Sequence, residues 1–363
     1  MNHPTTWLAI PRSVEEIDAA WLSEAMHAAG TLEPAAMVRD VRPQRIAVDT
    51  GFSSEVYRLH LRGDSRTPAT VIAKLPTNTA VREAMDVVGG YVRELTFYRD
   101  LALEAPIRAP RVHAAAMAHD STDFILVLED LAGWENESHY RGMPFARAQA
   151  TLAELARLHA WRPKPAVAQR ILETFPSLGD SASRQVLPPL FAEGWAIYEA
   201  NARTTIPAVV GDFATNLATR IGPLLDVLTQ RSTLIHGDIR ADNLFFRGPE
   251  IGVVDYQLAA RASGLADVGY LVSQGLTTEE RSGRDEELVT EYLRALTDAG
   301  GAECAWADAW RQYRSAVAFY LIAPVIAMRG WDLLPLDARE LCLRLVERAI
   351  ATIEDIDALG DLS

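Results

Sequence analysis

The first third of the chain carries short apolar runs at 42–49, 55–61 and 70–75, and two more at 112–117 and 124–128. Runs of this length, rich in Val, Ile and Leu and bounded by polar clusters, predict strands. Ahead of them, Ser13 and Glu16 stand at the spacing of a capping box, Ile17, Trp21, Leu22 and Met26 recur at helical spacing, and Gly30 follows. This predicts an N-terminal helix packed on the strands. Leu95, Tyr98 and Leu101 form a second helical stripe before residue 112. Past Gly133 the period turns helical, with Ala148, Leu152, Leu155 and Leu158 on one stripe of a helix expected over 145–159. Residues 162–207 are rich in proline and read as less regular, and 285–300, 304–328 and 337–359 read as helices, with Pro324 placed to kink the second. Strands first and helices after predict an α+β chain.

Composition narrows the partners. At 363 residues and 49% hydrophobic positions there is material for two or three lobes with large cores. A formal charge of -14 argues against nucleic acid and anionic membrane, because both recruit basic surfaces. It suits a neutral or cationic small molecule, although an acidic surface serves solubility as well. No apolar run reaches membrane-spanning length, and residues 1–12 lack a basic segment followed by an apolar one, so a cytoplasmic chain is expected. Cys304 and Cys342 lack metal-ligand spacing and are expected as buried thiols.

The chemistry concentrates in one stretch. Leu234 and Ile235 deliver the chain to His236-Gly237-Asp238-Ile239-Arg240-Ala241-Asp242-Asn243, and Leu244, Phe245 and Phe246 take it away, which predicts strand, loop and strand. A carboxylate, Asp238, and an amide, Asn243, lie five residues apart, and Asp255 ends the next apolar run. An isolated His-Gly-Asp can be no more than a turn. With Asn243 and Asp255 both in place the set matches phosphoryl transfer, where Asp238 would take the proton of an attacking hydroxyl and Asn243 and Asp255 would offer hard oxygens to Mg²⁺. The spacing is that of the protein-kinase pattern H-R-D-x-x-x-x-N followed by D-F-G. Here Gly237 stands for the Arg and Asp255-Tyr256-Gln257 for D-F-G. In protein kinases that Arg pairs with a phosphorylated activation loop, so no such activation is expected.

The signature from His236 to Asn243, with Asp255 beyond it, resembles that of the aminoglycoside phosphotransferases and choline kinases. The loop wording, together with Asp267-Val268-Gly269-Tyr270-Leu271, is most similar to the ecdysteroid kinase-like branch and its bacterial members. The resemblance implies a bilobal protein-kinase-like fold. A small β-rich lobe would span 1–128, a hinge 129–133, and a larger, mainly helical lobe 134–363, with nucleotide bound between the lobes. It also implies an ATP-dependent kinase that phosphorylates a hydroxyl of a small organic acceptor, with ATP and Mg²⁺ as cofactors. Related enzymes act on aminoglycosides, choline, sugars, ecdysteroids and hydroxyacyl-CoA thioesters. A steroid or other bulky lipophilic alcohol follows from the branch alone. A protein kinase is disfavoured because no Ala-Pro-Glu follows Asp255, and a nucleotide-binding module without activity is the alternative of another class.

On that reading Lys74, in Val71-Ile72-Ala73-Lys74, would hold the α- and β-phosphates, oriented by Glu94, with Glu83 as the other candidate partner. Residues 49–54 would form a hairpin over the phosphates, with Gly51, Ser53 and Ser54 offering backbone donors, unless it is an ordinary hairpin. Backbone groups from Glu129 to Leu131 would read the adenine edge, and the Glu129 and Asp130 side chains would contact ribose or form a solvated turn. His159, His236 and Asp267 are expected as structural supports. Arg240 would offset phosphate charge or make a salt bridge. Trp195 and Tyr198 are assigned to helical core, in a segment that helps form the acceptor site in the superfamily.

Overall fold

The computed structural model describes residues 9–46, 54–77, 80–119 and 121–360. The chain divides into two compact units, Met1–Leu103 with Arg108–Trp134, and Glu104–Ile107 with Glu135–Ser363.

The first unit opens with helix α1 (Ala19–Ala28), and its start differs from the capping-box expectation. Ser13 begins only a short 3-10 turn, Glu16 turns back to accept from the Arg12 N–H at 2.9 Å, and Asp18 caps α1 by accepting from the Trp21 N–H at 2.8 Å. The reason is Ile17: its side chain is drawn into the core, which pins the chain there and leaves Asp18 as the first residue able to cap. Strands β1 (Val38–Ile46), β2 (Ser54–Gly63) and β3 (Thr70–Pro76) follow, then helices α2 (Ala80–Val87) and α3 (Gly90–Thr96), then β4 (Val112–Met117) and β5 (Phe124–Glu129). The five strands form one antiparallel sheet in the order β1-β2-β3-β5-β4. Leu22 and Met26 of α1 pack with Val38, Leu59, Val71, Ala73, Leu75 and Val127 on one sheet face. Side chains alternate along a strand, so Lys74, between Ala73 and Leu75, points to the opposite face.

The second unit begins at strand β6 (Glu135–Asn136) and continues through α4 (Phe145–Ala160), α5 (Pro165–Thr174), α6 (Ser181–Asn201), α7 (Ala208–Thr215) and α8 (Leu217–Leu228). Strands β7 (Thr233–Ile235), β8 (Leu244–Arg247), β9 (Glu250–Val253) and β10 (Ala260–Ala262) come next. Strands β6, β8 and β9 make one antiparallel sheet, with β8 between the other two, and β7 pairs with β10. The chain ends in α9 (Leu265–Gly275), α10 (Thr278–Arg281), α11 (Asp285–Asp298), α12 (Trp306–Tyr320), α13 (Ile322–Ala327) and α14 (Leu336–Asp355).

Two departures have local causes. The proline-rich 162–207 segment is largely helical, and α6 runs through Pro188 and Pro189 because Phe191, Trp195 and Tyr198 bury a stripe that outweighs the missing N–H donors. The helix expected over 304–328 is instead α12 and α13. Pro324 has no N–H for the Tyr320 carbonyl four residues earlier, and Gln274 Nε2 of α9 donates to that carbonyl at 2.6 Å. Cys342 is buried, whereas Cys304 is half-buried, and Trp306 is exposed. Among the described residues no helix is long and apolar enough to cross a membrane.

Candidate active site

The loop between β7 and β8 is built from the inside. Ile239 and Ala241 are fully buried anchors, and a 3-10 turn over Ala241–Asn243 closes the loop into β8. His236 Nδ1 accepts from the Asp238 N–H at 3.2 Å, so its other nitrogen, Nε2, carries the proton and donates to the Val254 carbonyl at 3.0 Å. Tyr256, in the place of the D-F-G Phe, packs on the His236 ring with centroids 4.7 Å apart. Gly237 adopts a φ of 79°, and a Cβ there would lie 2.2 Å from the Leu258 carbonyl oxygen. The Arg of the protein-kinase pattern therefore has no room here.

Asp267, in the first turn of α9, braces the loop. Oδ2 accepts from the His236 N–H at 2.7 Å, Oδ1 accepts from the Gly237 N–H at 2.9 Å, and His159 Nε2 lies 3.2 Å from Oδ2. His159, near the end of α4, also meets the Tyr292 hydroxyl at 2.9 Å. Burial works against the Asp267 charge, but the histidines and the Gly237 N–H outweigh it and bring the carboxyl below its ordinary range.

The Asp238 carboxylate is held on both oxygens. Oδ1 accepts from the Tyr270 hydroxyl at 3.1 Å and Oδ2 from Asn243 Nδ2 at 3.3 Å. The same Asn243 nitrogen donates to the Asp238 backbone carbonyl at 2.9 Å. The Asp238 side chain is 19% exposed, enough for a hydroxyl to reach it. Arg240 Nε lies 3.5 Å from Asp238 and 3.3 Å from Asp242. Burial opposes the Arg240 charge, yet these two carboxylates outweigh it and raise its pKa. Burial in turn pushes the Asp242 carboxyl up, with Asp238 and Asp255 adding to the effect against Arg240.

Asp255 lies two residues past β9 with a φ of 70°, a left-handed conformation uncommon outside glycine and a mark of stored backbone strain. The preceding N–H, of Val254, donates to the Asn243 carbonyl at 3.1 Å, so the Asn243 backbone is bonded to the residue next to Asp255. Asn243 commits its amide nitrogen to Asp238, so the amide oxygen is the end left to face a cation. One amide oxygen and one carboxylate suit Mg²⁺, which keeps several waters and takes few protein ligands. Among the described residues no three His, Cys, Asp or Glu side chains gather as a cage for a softer or larger ion.

In the first unit, Lys74 Nζ meets Glu94 Oε1 of α3 at 2.7 Å, and both side chains are buried. Glu83, on α2, is exposed. Gly51 and Ser53 lie outside the described residues, and Ser54 is buried as the first residue of β2. Glu129 accepts from Arg108 at 2.7 Å and from the Arg111 N–H at 3.0 Å, and Asp130 accepts from Arg58 at 2.6 Å and from the Ala132 N–H at 3.0 Å. These carboxylates thus have protein partners, and Leu131 is buried. The residue that the chain alone did not single out is Tyr270. Its signal was present: it follows Asp267 by three positions and so shares its helix face.

The two units have the fold of known small-molecule kinases. A choline kinase from Cryptosporidium parvum aligns with a TM-score of 0.56 at 12% identity, over 87% of this chain and 90% of that one. An aminoglycoside 2'-phosphotransferase-IIIa in complex with GDP aligns with a TM-score of 0.52 at 14% identity, over 87% and 93%. An amicoumacin kinase in complex with AMP-PNP and Ca²⁺ aligns with a TM-score of 0.51 at 15% identity, over 90% of each. At these identities the likeness is one of fold. No curated protein sequence matches the chain. The model of one sequence family, described as ecdysteroid kinase-like, matches residues 49–301, well over half of the chain. That span includes Lys74, Glu94, Asp238, Asn243 and Asp255, and by it the chain belongs to the ecdysteroid kinase-like family.

Proposed function

We propose that the protein transfers the γ-phosphoryl group of ATP to a hydroxyl of a small organic acceptor. The observation that carries this is the Asp238 carboxylate, fixed at both oxygens yet partly open, beside the Asn243–Asp255 pair. Asp238 takes the proton as the acceptor oxygen attacks the γ-phosphorus, the bond from that phosphorus to the bridging oxygen breaks, and ADP leaves with that oxygen. Asn243 and Asp255 would hold Mg²⁺, which when bound would supply positive charge against the phosphates. Lys74, oriented by Glu94, binds the α- and β-phosphates. Backbone groups of Glu129 and Leu131 in a 129–133 hinge read the base. The Glu129 carboxylate, engaged by Arg108, has an anchoring part in this scheme.

An alcohol suits a carboxylate base, and the family name favours a steroid or other bulky lipophilic alcohol over an amine. The test is ADP release and product mass with choline, kanamycin, a hydroxysteroid and a 3-hydroxyacyl-CoA as acceptors. Stimulation by one alcohol is expected, and Asp238→Asn should lower kcat about 10²-fold or more while ATP–Mg²⁺ affinity changes little. An Asp238→Asn protein that turns over at the wild-type rate refutes the base. No transfer to any alcohol leaves the nucleotide-binding module as the better account.

A further inference from the structure

Helix α9 sends three side chains from one face toward the catalytic loop and its support. Asp267 braces the backbone of His236 and Gly237, Tyr270 reaches the Asp238 carboxylate, and Gln274 takes up the Tyr320 carbonyl. Spacings of three and four residues put them along one stripe. Close approach of α9 to α12 makes this possible: a Cβ on Gly269 would lie 2.4 Å from the Ala316 Cβ. One turn beyond Ala316, Tyr320 stacks on Tyr270 with centroids 4.5 Å apart and planes 6° from parallel. The His139 ring stands edge-on to Tyr270 at 6.5 Å. Its segment is tied down by Arg348, which donates to the His139 carbonyl at 2.9 Å, the Gln274 carbonyl at 3.0 Å and the Tyr140 carbonyl at 2.9 Å. The Tyr270 ring is thus clamped by aromatic neighbours on well-anchored segments, and a ring so clamped has little rotamer freedom.

Its hydroxyl is the short side-chain contact of Asp238. Tyr270 to Oδ1 is 3.1 Å, whereas Oδ2 is met at 3.3 Å by Asn243 and at 3.5 Å by Arg240, near or beyond the useful limit of a hydrogen bond. Burial first, and then Asp238, push the Tyr270 pKa well above its ordinary value, so the phenol stays protonated and donates. We propose that Tyr270 is a positioning residue for the phosphoryl transfer, holding the Asp238 carboxylate in the rotamer that faces the acceptor hydroxyl. This rests on the kinase reading above. Without the phenol hydroxyl, the Oδ2 contacts alone restrain rotation about the Asp238 Cβ–Cγ bond. Small misplacements of a reacting group cost up to about 10²-fold in rate.

The test is Tyr270→Phe, which keeps the ring and its stack and removes only the hydroxyl, assayed with whichever alcohol of the panel is turned over fastest. Expected is a fall in kcat of about tenfold, with KM for ATP and for the alcohol within about twofold of wild type. In an Asp238→Asn background the same change should alter kcat by less than about twofold, because the group it positions is already disabled. Tyr320→Leu, which removes the stack and keeps the hydroxyl, should lower kcat in the same direction with KM unmoved. A Tyr270→Phe enzyme with more than half of wild-type kcat overturns the inference. So does a tenfold loss that persists undiminished in the Asp238→Asn background, which would mark a general packing effect. A wild-type enzyme that phosphorylates no alcohol removes the kinase reading and this inference together, whereas active wild type with active Tyr270→Phe removes this inference alone.

Discussion

Asp267→Asn is the sharpest test of how the loop is held. The side chain is fully buried, and its two oxygens accept two backbone N–H groups, from His236 and Gly237, while His159 meets one of them. Asparagine is almost the same size, so no cavity forms and the change is electronic. Its single oxygen can serve one backbone N–H, and its NH₂ then faces the other donor to donor. One hydrogen bond to a charged acceptor is lost, worth about 1.5–3 kcal/mol, and one buried N–H is left unpaired at about 1–3 kcal/mol. The sum is about 2.5–6 kcal/mol. At roughly 2–4 °C per kcal/mol for a unit of this size, the melting temperature should drop by on the order of 10 °C. Calorimetry, with urea unfolding followed by circular dichroism as a cross-check, measures it. The His236–Gly237 peptide also sets the Asp238 backbone, so kcat should fall even at temperatures where the variant is fully folded. A melting temperature within about 2 °C of wild type would refute the account, since unmet donors in a site this dry cannot be that cheap.

Other expectations follow from single contacts. Lys74→Ala and Glu94→Ala should each impair turnover, and the double variant should be little worse than the worse single one; additive losses in a double-mutant cycle would mean that the two do not act as a pair. Gly237→Ala should cost about 1–2 kcal/mol from the left-handed backbone alone, and more from contact with the Leu258 carbonyl, so an unchanged melting temperature would count against the Gly237 geometry. His113, on β4, has its pKa lowered from 6.5 to about 4, by burial first and Arg111 second, against a smaller pull from Glu129. Its folded-state value is depressed, so its contribution to stability is complete above pH 6.5 and is lost as pH falls toward 4. That amounts to about 3 kcal/mol at about 1.4 kcal/mol per unit. His113→Leu should flatten the stability profile over that window in urea titrations at pH 7 and pH 4.5, and an equally steep profile would show that other groups carry it.

The sequence by itself determined what is local. The spacing of Asp238 and Asn243 is covalent, and flanking strands with a buried Ile239 leave the loop few ways to close, so the carboxylate, the amide and the strand–loop–strand frame were legible before any tertiary contact was known. Strands β4 and β5 and the buried stripe of α4 were equally legible, because a short apolar run bounded by polar clusters and an apolar period of 3.6 residues both mark segments that the fold buries. The α1 cap was not, since Ser13 and Asp18 both qualify and burial of Ile17 decides between them. Nor was the partner of Lys74: Glu83 and Glu94 both lie on helices, and only packing of α3 against the sheet puts Glu94 within 2.7 Å and leaves Glu83 in solvent. The same holds for Tyr270, 32 residues from Asp238 in sequence and 3.1 Å from it in space. Its contact depends on Gly269 letting α9 close on α12, and on Pro324 freeing a carbonyl for Gln274. Local pattern specifies which residues can do chemistry; which of them meet is decided by how helices and sheet pack, because distances between elements are set by side-chain volumes that no single stretch of the chain contains.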